Sequence, residues 1–275
     1  MKRQQIISEL INRGYNVEET DVVKNGVTLS GIRFDFGTPV QPTVYVDRYI
    51  DDDDLDSVVD EIVETVERSQ LNQPDINVSD LASAEFIFNG LRVGFQRVED
   101  VENIVKRNRT DLEGVEEYLY VLGGRDNGGQ WSYKVHPDLL KNADITLNEA
   151  WRKAYQNMSE EVVIKSMFDT FAEMMGDIPE DMLPPEEDMM YVLSNRSKTK
   201  GAASWVCQGV IKDFAEEHGV TKLVVLPSSI HEMIIVPWKD GMSMDELNAM
   251  VRDVNSTQVS PTEQLADQAF LVDIA

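Results

Sequence analysis

Apolar residues recur along this chain at two spacings, helical and alternating, and the switches between them mark out its elements. Ile6, Ile7, Leu10 and Ile11 stand at helical spacing ahead of Gly14 and predict a short opening helix. Val22 and Val23 precede Lys24-Asn25-Gly26, and Val27, Leu29, Ile32 and Phe34 follow it, which predicts a hairpin closed by an Asn-Gly turn. Residues 43–46 read as a third strand. Leu55, Val58, Val59, Ile62, Val63 and Val66 then form one stripe of a longer helix, with Asp56, Asp60, Glu61, Glu64 and Glu67 on its other side. Four aspartates at 51–54 sit where they cap that helix and complement its dipole, and they lack the glycine hinge of a calcium loop. Like charges three or four residues apart repel, so this pattern predicts that reversing Asp60 and Glu64 stabilises the protein.

The alternation at 85–95 around Asn89-Gly90 predicts a second hairpin, and Tyr118, Tyr120 and Leu122 with Trp131, Tyr133 and Val135 predict a third. The glycines at its tip, 123–129, match neither a dinucleotide fingerprint nor a Walker sequence. Thr146 and Glu149 have capping-box spacing and open a helix through Tyr155, and Ser159 reads as the cap of another carrying Val163, Met167, Phe171 and Met174. Residues 176–188, with three prolines and six acids, interrupt the pattern. This places a subdomain boundary there, between 1–175 and 189–275, although an ordered surface loop fits the same residues. Beyond it the pattern predicts a strand at 189–193, a helix at 201–218 stopped by Gly219, a hairpin at 223–236 and a capping box at Ser243 and Glu246. Ser260-Pro261-Thr262-Glu263 reads as one more helix start before a strand at 270–274. Hairpins mixed with amphipathic helices define an α+β fold class, possessing antiparallel rather than alternating parallel strands.

Charge changes the picture. Over 275 residues, 50 acids against 25 Lys and Arg leave a net charge of −25, which opposes direct nucleic-acid or anionic-lipid binding through a broad basic surface. The single cysteine, Cys207, excludes an internal disulfide framework, and with no signal peptide in the first ten residues the expected location is cytoplasmic. No apolar run reaches the ~18 residues of a spanning helix, so no membrane partner is expected.

Two constellations carry candidate chemistry. Ser228, His231 and Glu232 supply hydroxyl, imidazole and carboxylate for catalysis, but His231 and Glu232 point to opposite faces of an extended chain, and Ile235 stands where a zinc-protease motif needs its second histidine. A turn with locally bonded serines and histidine explains the same residues. Arg196, Lys198 and Lys200 lead into Gly201-Ala202-Ala203, a basic loop at a helix start where small residues let an anion approach the backbone. Cys207 reads as a buried, inert thiol, and no residue pattern names a metal or cofactor.

Lys24-Asn25-Gly26, Gly31-Ile32, Pro42-Thr43, Tyr45-Val46, the run from Tyr191 to Asn195, Gly201-Ala202-Ala203 and the run from Pro227 to Glu232 recur in order, with Met250-Val251, Asn255, Glu263 and Asp267. Together they resemble a family of proteins of unknown function found mainly in anaerobic gut bacteria, often on mobile elements. The resemblance implies a cytosolic bacterial protein and transfers no catalytic residue. The leading expectation is a binding or regulatory protein whose acidic helix face, Asp56, Asp60, Glu61, Glu64 and Glu67, meets a protein partner with a basic surface, by nucleic-acid mimicry in one version. The alternative is an enzyme or small-ligand sensor with an anion site at 196–201 and acid–base chemistry at His231 and Glu232.

Overall fold

The computed structural model describes residues 3–38, 40–49, 54–71, 81–99, 103–126, 129–176 and 189–274. The chain divides into two compact units, Met1–Leu81 with Arg125–Gly129, and Ala82–Gly124 with Gln130–Ala275. The fold is α+β, and the strand pairings among the described residues are antiparallel.

In the first unit, α1 (Arg3–Asn12), β1 (Val17–Lys24), β2 (Val27–Phe34), β3 (Thr43–Tyr45) and α2 (Leu55–Leu71) follow the apolar pattern. The sheet order is β1-β2-β3, with Val17 opposite Phe34 and Lys24 opposite Val27. Asn25 and Gly26 close the hairpin at φ 51° and 78°, the left-handed pair that a two-residue turn matching strand twist requires. The stripe of α2 buries Val58, Val59, Ile62 and Val66 with Ile6, Leu10, Ile32 and Phe34. Asp54 accepts from the Ser57 N–H at 3.1 Å at the start of α2, while the other three aspartates, 51–53, lie outside the described residues.

The second unit begins with α3 (Ala84–Gly90), β4 (Leu91–Arg97), β5 (Lys106–Asn108), β6 (Val115–Asp126) and β7 (Gly129–Lys134). Here the expected hairpin at 85–95 gives way to a helix and a strand. Ser83 caps the helix by accepting from the Phe86 N–H, and Gly90 is needed because a Cβ there would overlap the Val121 side chain and the Leu122 carbonyl. The glycine serves close approach to β6, not a turn. Next come α4 (Pro137–Asn142), α5 (Leu147–Ser159), β8 (Val162–Ser166), α6 (Met167–Met175) and β9 (Tyr191–Asn195). The Thr146–Glu149 capping box is present with both reciprocal bonds, but Ser159 ends α5. The β-branched run Val162-Val163-Ile164 forms a strand, and Ser166 caps the helix that follows.

The C-terminal part contains a 3₁₀ helix (Gly201–Val206), α7 (Gln208–Glu217), β10 (Lys222–Leu226), β11 (Met233–Pro237), α8 (Met244–Thr257) and β12 (Phe270–Asp273). The helix expected over 201–218 breaks at Cys207, whose ψ of 64° leaves the helical region, and Gly219 at φ 64° follows it. The helix start read at 260–263 is a turn closed by Glu263 N–H to Ser260 O at 2.8 Å. A five-stranded sheet runs β12-β10-β11-β9-β8. Leu193, Leu223, Val225, Met233 and Ile235 face the main core, while Val224, Leu226 and Val236 face Val251 of α8. Strands β8 and β9, one on each side of 176–188, pair directly, Val162 opposite Asn195, and the division between units falls instead at 81/82. Residues 177–188 lie outside the described residues. Among those described, no helix is long and apolar enough to cross a membrane.

Candidate functional site

Antiparallel pairing sets Val163 opposite Ser194 and Lys165 opposite Val192, so these four side chains share one face of the β8–β9 edge. Thr170 and Glu173 of α6 stand over that face, and together they bound a cavity of about 510 Å³. Its rim is completed by Arg196, Lys198 and Glu232. The two sequence leads, the basic loop and the 228–232 segment, therefore meet here through Arg196, Lys198 and Glu232.

The turn that carries the cations is built by Asn195. Its Oδ1 accepts from Ser197 Oγ at 2.9 Å and the Thr199 N–H at 3.3 Å, and its Nδ2 donates to the Thr199 carbonyl at 2.9 Å. Ser194 Oγ donates to the His231 carbonyl at 2.8 Å, which ties this turn to the 228–232 segment. Lys165 and Glu173 form an ion pair, and Lys198 Nζ lies 3.8 Å from the same carboxylate. The Lys165 ammonium thereby holds the Glu173 carboxyl below its ordinary range. Arg196 and Glu232 project onto the same cavity, and among the described residues neither side chain has a hydrogen bond or ion pair.

The remaining sequence candidates lie elsewhere. Lys200 Nζ donates to Ser132 Oγ at 2.8 Å and sits 4.7 Å above the Tyr120 ring. Gly201 is buried, and a Cβ there would overlap Ser194 Oγ and the His231 carbonyl, so protein occupies the space expected for a ligand. The His231 ring meets Lys200 and Glu263, whereas Glu232 borders the cavity. Its Nδ1 accepts from the Lys200 N–H at 3.3 Å, which leaves the ring proton on Nε2, 3.5 Å from Glu263 Oε1. Ser229 Oγ accepts the His231 backbone N–H at 3.0 Å, and no hydrogen bond joins the Ser228 or Ser229 hydroxyl to the imidazole among the described residues. Cys207 is buried, and burial pushes its thiol up to about 11.

Two further charged sets stand out among the described residues. On α2, Asp56 and Asp60 pair with Arg13, Glu61 with Arg48, Glu64 with Arg68, and Glu67 accepts from Tyr15 OH at 2.7 Å. The carboxylates stay exposed, Asp56 at 84% and Asp60 at 72%. In the second unit, adjacent Glu116 and Glu117 of β6 are both buried. Glu116 accepts from Gln96 at 2.7 Å and Lys106 at 3.0 Å. Glu117 is held by Arg107, by Arg109 at 3.1 Å and by Tyr155 OH at 2.8 Å. Arg109 also grips Asp111 at 2.6 and 2.8 Å, and Asp111 accepts from the buried Trp205 indole at 2.8 Å. These groups satisfy one another, the mark of a framework. Sequence reading missed this network and missed Lys165 and Glu173 in the cavity. The β-branched run at 162–164 was the signal that would have put Lys165 on a strand. Among the described residues no group of His, Cys, Asp and Glu side chains is arranged to hold a metal ion.

Fold and site together define an α+β protein of antiparallel sheets with a charged cavity under one sheet edge. Residues 2–273 match the model of a family of unknown function (DUF5688), and the chain belongs to that family. No curated protein and no solved structure matches it.

Proposed function

We propose that this protein binds a small anionic ligand in the cavity beneath α6 and the β8–β9 edge. The observation that supports this reading is Arg196, a guanidinium on the cavity rim with no partner side chain among the described residues, beside two lysines that share the single Glu173 carboxylate. A guanidinium offers a planar fork matched to carboxylate or phosphate, and an unfilled fork in a concave, partly apolar site favours such a group. Any acid–base chemistry here falls to Glu232, because His231 lies on the other side of the segment. A cytoplasmic location, in a bacterium of the anaerobic gut and on a mobile element, belongs to the same proposal. The test is calorimetric titration of the full chain with a panel of small carboxylates and with inorganic phosphate. Binding that Arg196→Ala weakens about tenfold supports the reading. Silence across the panel, or equal binding by the variant, overturns it.

The exposure of Asp56, Asp60 and Glu64, each 70% or more, supports a second reading in which the α2 face meets a basic protein partner. Capture of such a partner at low salt would then be lost in the Asp60→Lys, Glu61→Lys double variant. Capture undiminished by it excludes this face.

A further inference from the structure

We infer that the ligand of this cavity is a zwitterion with an apolar body, an α-amino acid or a dipeptide with free termini, whose carboxylate meets Arg196 and whose ammonium meets Glu232. The inference rests on the proposed anion site and narrows it. Two opposite charges, Arg196 and Glu232, border one cavity and do not pair with each other or with another side chain among the described residues. Lys165 and Lys198, by contrast, are drawn to Glu173. That trio keeps one net positive charge, and the groups left without a side-chain partner among the described residues are one guanidinium and one carboxylate.

That pair discriminates by sign. A simple anion placed at Arg196 leaves the Glu232 carboxylate on the same cavity without a counter-charge. A simple cation placed at Glu232 has Arg196, Lys165 and Lys198 on that cavity. Only a molecule carrying both charges finds each matched, and specificity of this kind depends on the repulsive partner as much as on the attractive one. Val163 and Val192 lie on the shared strand face that lines the cavity, so the body between or beside the charges meets aliphatic surface. A volume of about 510 Å³ accommodates either a single amino acid or a dipeptide.

The experiment is calorimetric titration of the full chain at neutral pH with leucine, leucyl-leucine, 4-methylpentanoate and 3-methylbutylamine. The last two are leucine without its ammonium and without its carboxylate. Leucine or leucyl-leucine is expected to bind about tenfold more tightly than 4-methylpentanoate. Glu232→Gln, which keeps the shape and leaves no broken bond, is expected to erase that advantage without weakening 4-methylpentanoate. Whichever zwitterion binds more tightly identifies the ligand class. If 4-methylpentanoate binds as well as both zwitterions, the zwitterion inference is overturned and the anion site stands. If 3-methylbutylamine alone binds, the site is one for cations and both readings are overturned. If none of the four binds, the inference fails, while the separate panel of carboxylates and phosphate decides the anion site. Circular dichroism of Glu232→Gln should match the parent, so that lost discrimination is not lost fold.

Discussion

Asp111 accepts a bidentate pair of hydrogen bonds from Arg109 and a third from the Trp205 indole. Burial pushes its carboxyl up, but the guanidinium and indole hydrogens favour the charged form more strongly, and the group ends below its ordinary value. A folded-state value below the unfolded ~3.9 means that the folded protein holds the proton less tightly. The stabilisation is therefore fully present above the unfolded value and is lost as pH falls through the folded one. Asp111→Asn is expected to lower stability at pH 7 by about 2 kcal/mol, the scale of hydrogen bonds to a charged group. The gap between variant and parent should close in acid. Urea midpoints measured from pH 7 down to pH 3 check this, and a gap that stays constant with pH refutes it. None of this was legible in sequence. Glu116 and Glu117 look like the solvated start of a strand, and their burial depends on cations that arrive from elsewhere, Lys106 and Arg107 on β5 among them. Tyr155, pushed up to about 12 by burial and by its bond to Glu117, comes from a helix about 40 residues on.

Elements were readable where a long pattern and its punctuation agree. The opening hairpin has eight-residue strands and an Asn-Gly turn, and the acidic helix carries its apolar stripe over 17 residues. Short elements failed. Helix α3 has seven residues, too few for periodicity to outweigh an Asn-Gly signal, and the five-residue β8 was absorbed into the helical spacing of α6. The cavity was half legible for the same reason. Arg196, Lys198 and Glu232 announced themselves as charges in loops, whereas Lys165 and Glu173 join them only through the pairing of β8 with β9. Geometry also reverses one expectation on α2. The acids repel along the helix, but Asp60 is ion-paired to Arg13, whose guanidinium is also shared with Asp56 and Glu9. Asp60→Lys therefore sets ammonium against guanidinium and is expected to lower the melting temperature. Moderate salt should shrink the difference from the parent by screening. A variant that melts higher than the parent would restore the repulsion argument.

At the scale of the whole molecule, the two compact units have separate hydrophobic clusters with no residue in common. One is built on Ile6, Leu10, Phe34 and Ile62, the other on Phe95, Leu119, Trp151 and Trp205. The tryptophans of the chain, at 131, 151, 205 and 238, all fall in the second unit. Tryptophan fluorescence therefore follows that unit alone, while far-ultraviolet circular dichroism follows helices and strands of both. Ile62 is fully buried on the stripe of α2, and Ile62→Ala removes methyl and methylene groups from a close-packed site, a change of about 2–5 kcal/mol. Where each cluster unfolds as its own cooperative unit, that loss is confined to the first. The expected result in urea is an early circular-dichroism phase in Ile62→Ala, with the fluorescence midpoint unmoved. Phe95→Ala is expected to do the reverse, lowering the fluorescence midpoint while part of the circular-dichroism change stays where the parent has it. If Ile62→Ala moves both midpoints together, the chain unfolds as one cooperative body, and the two clusters are energetically a single core.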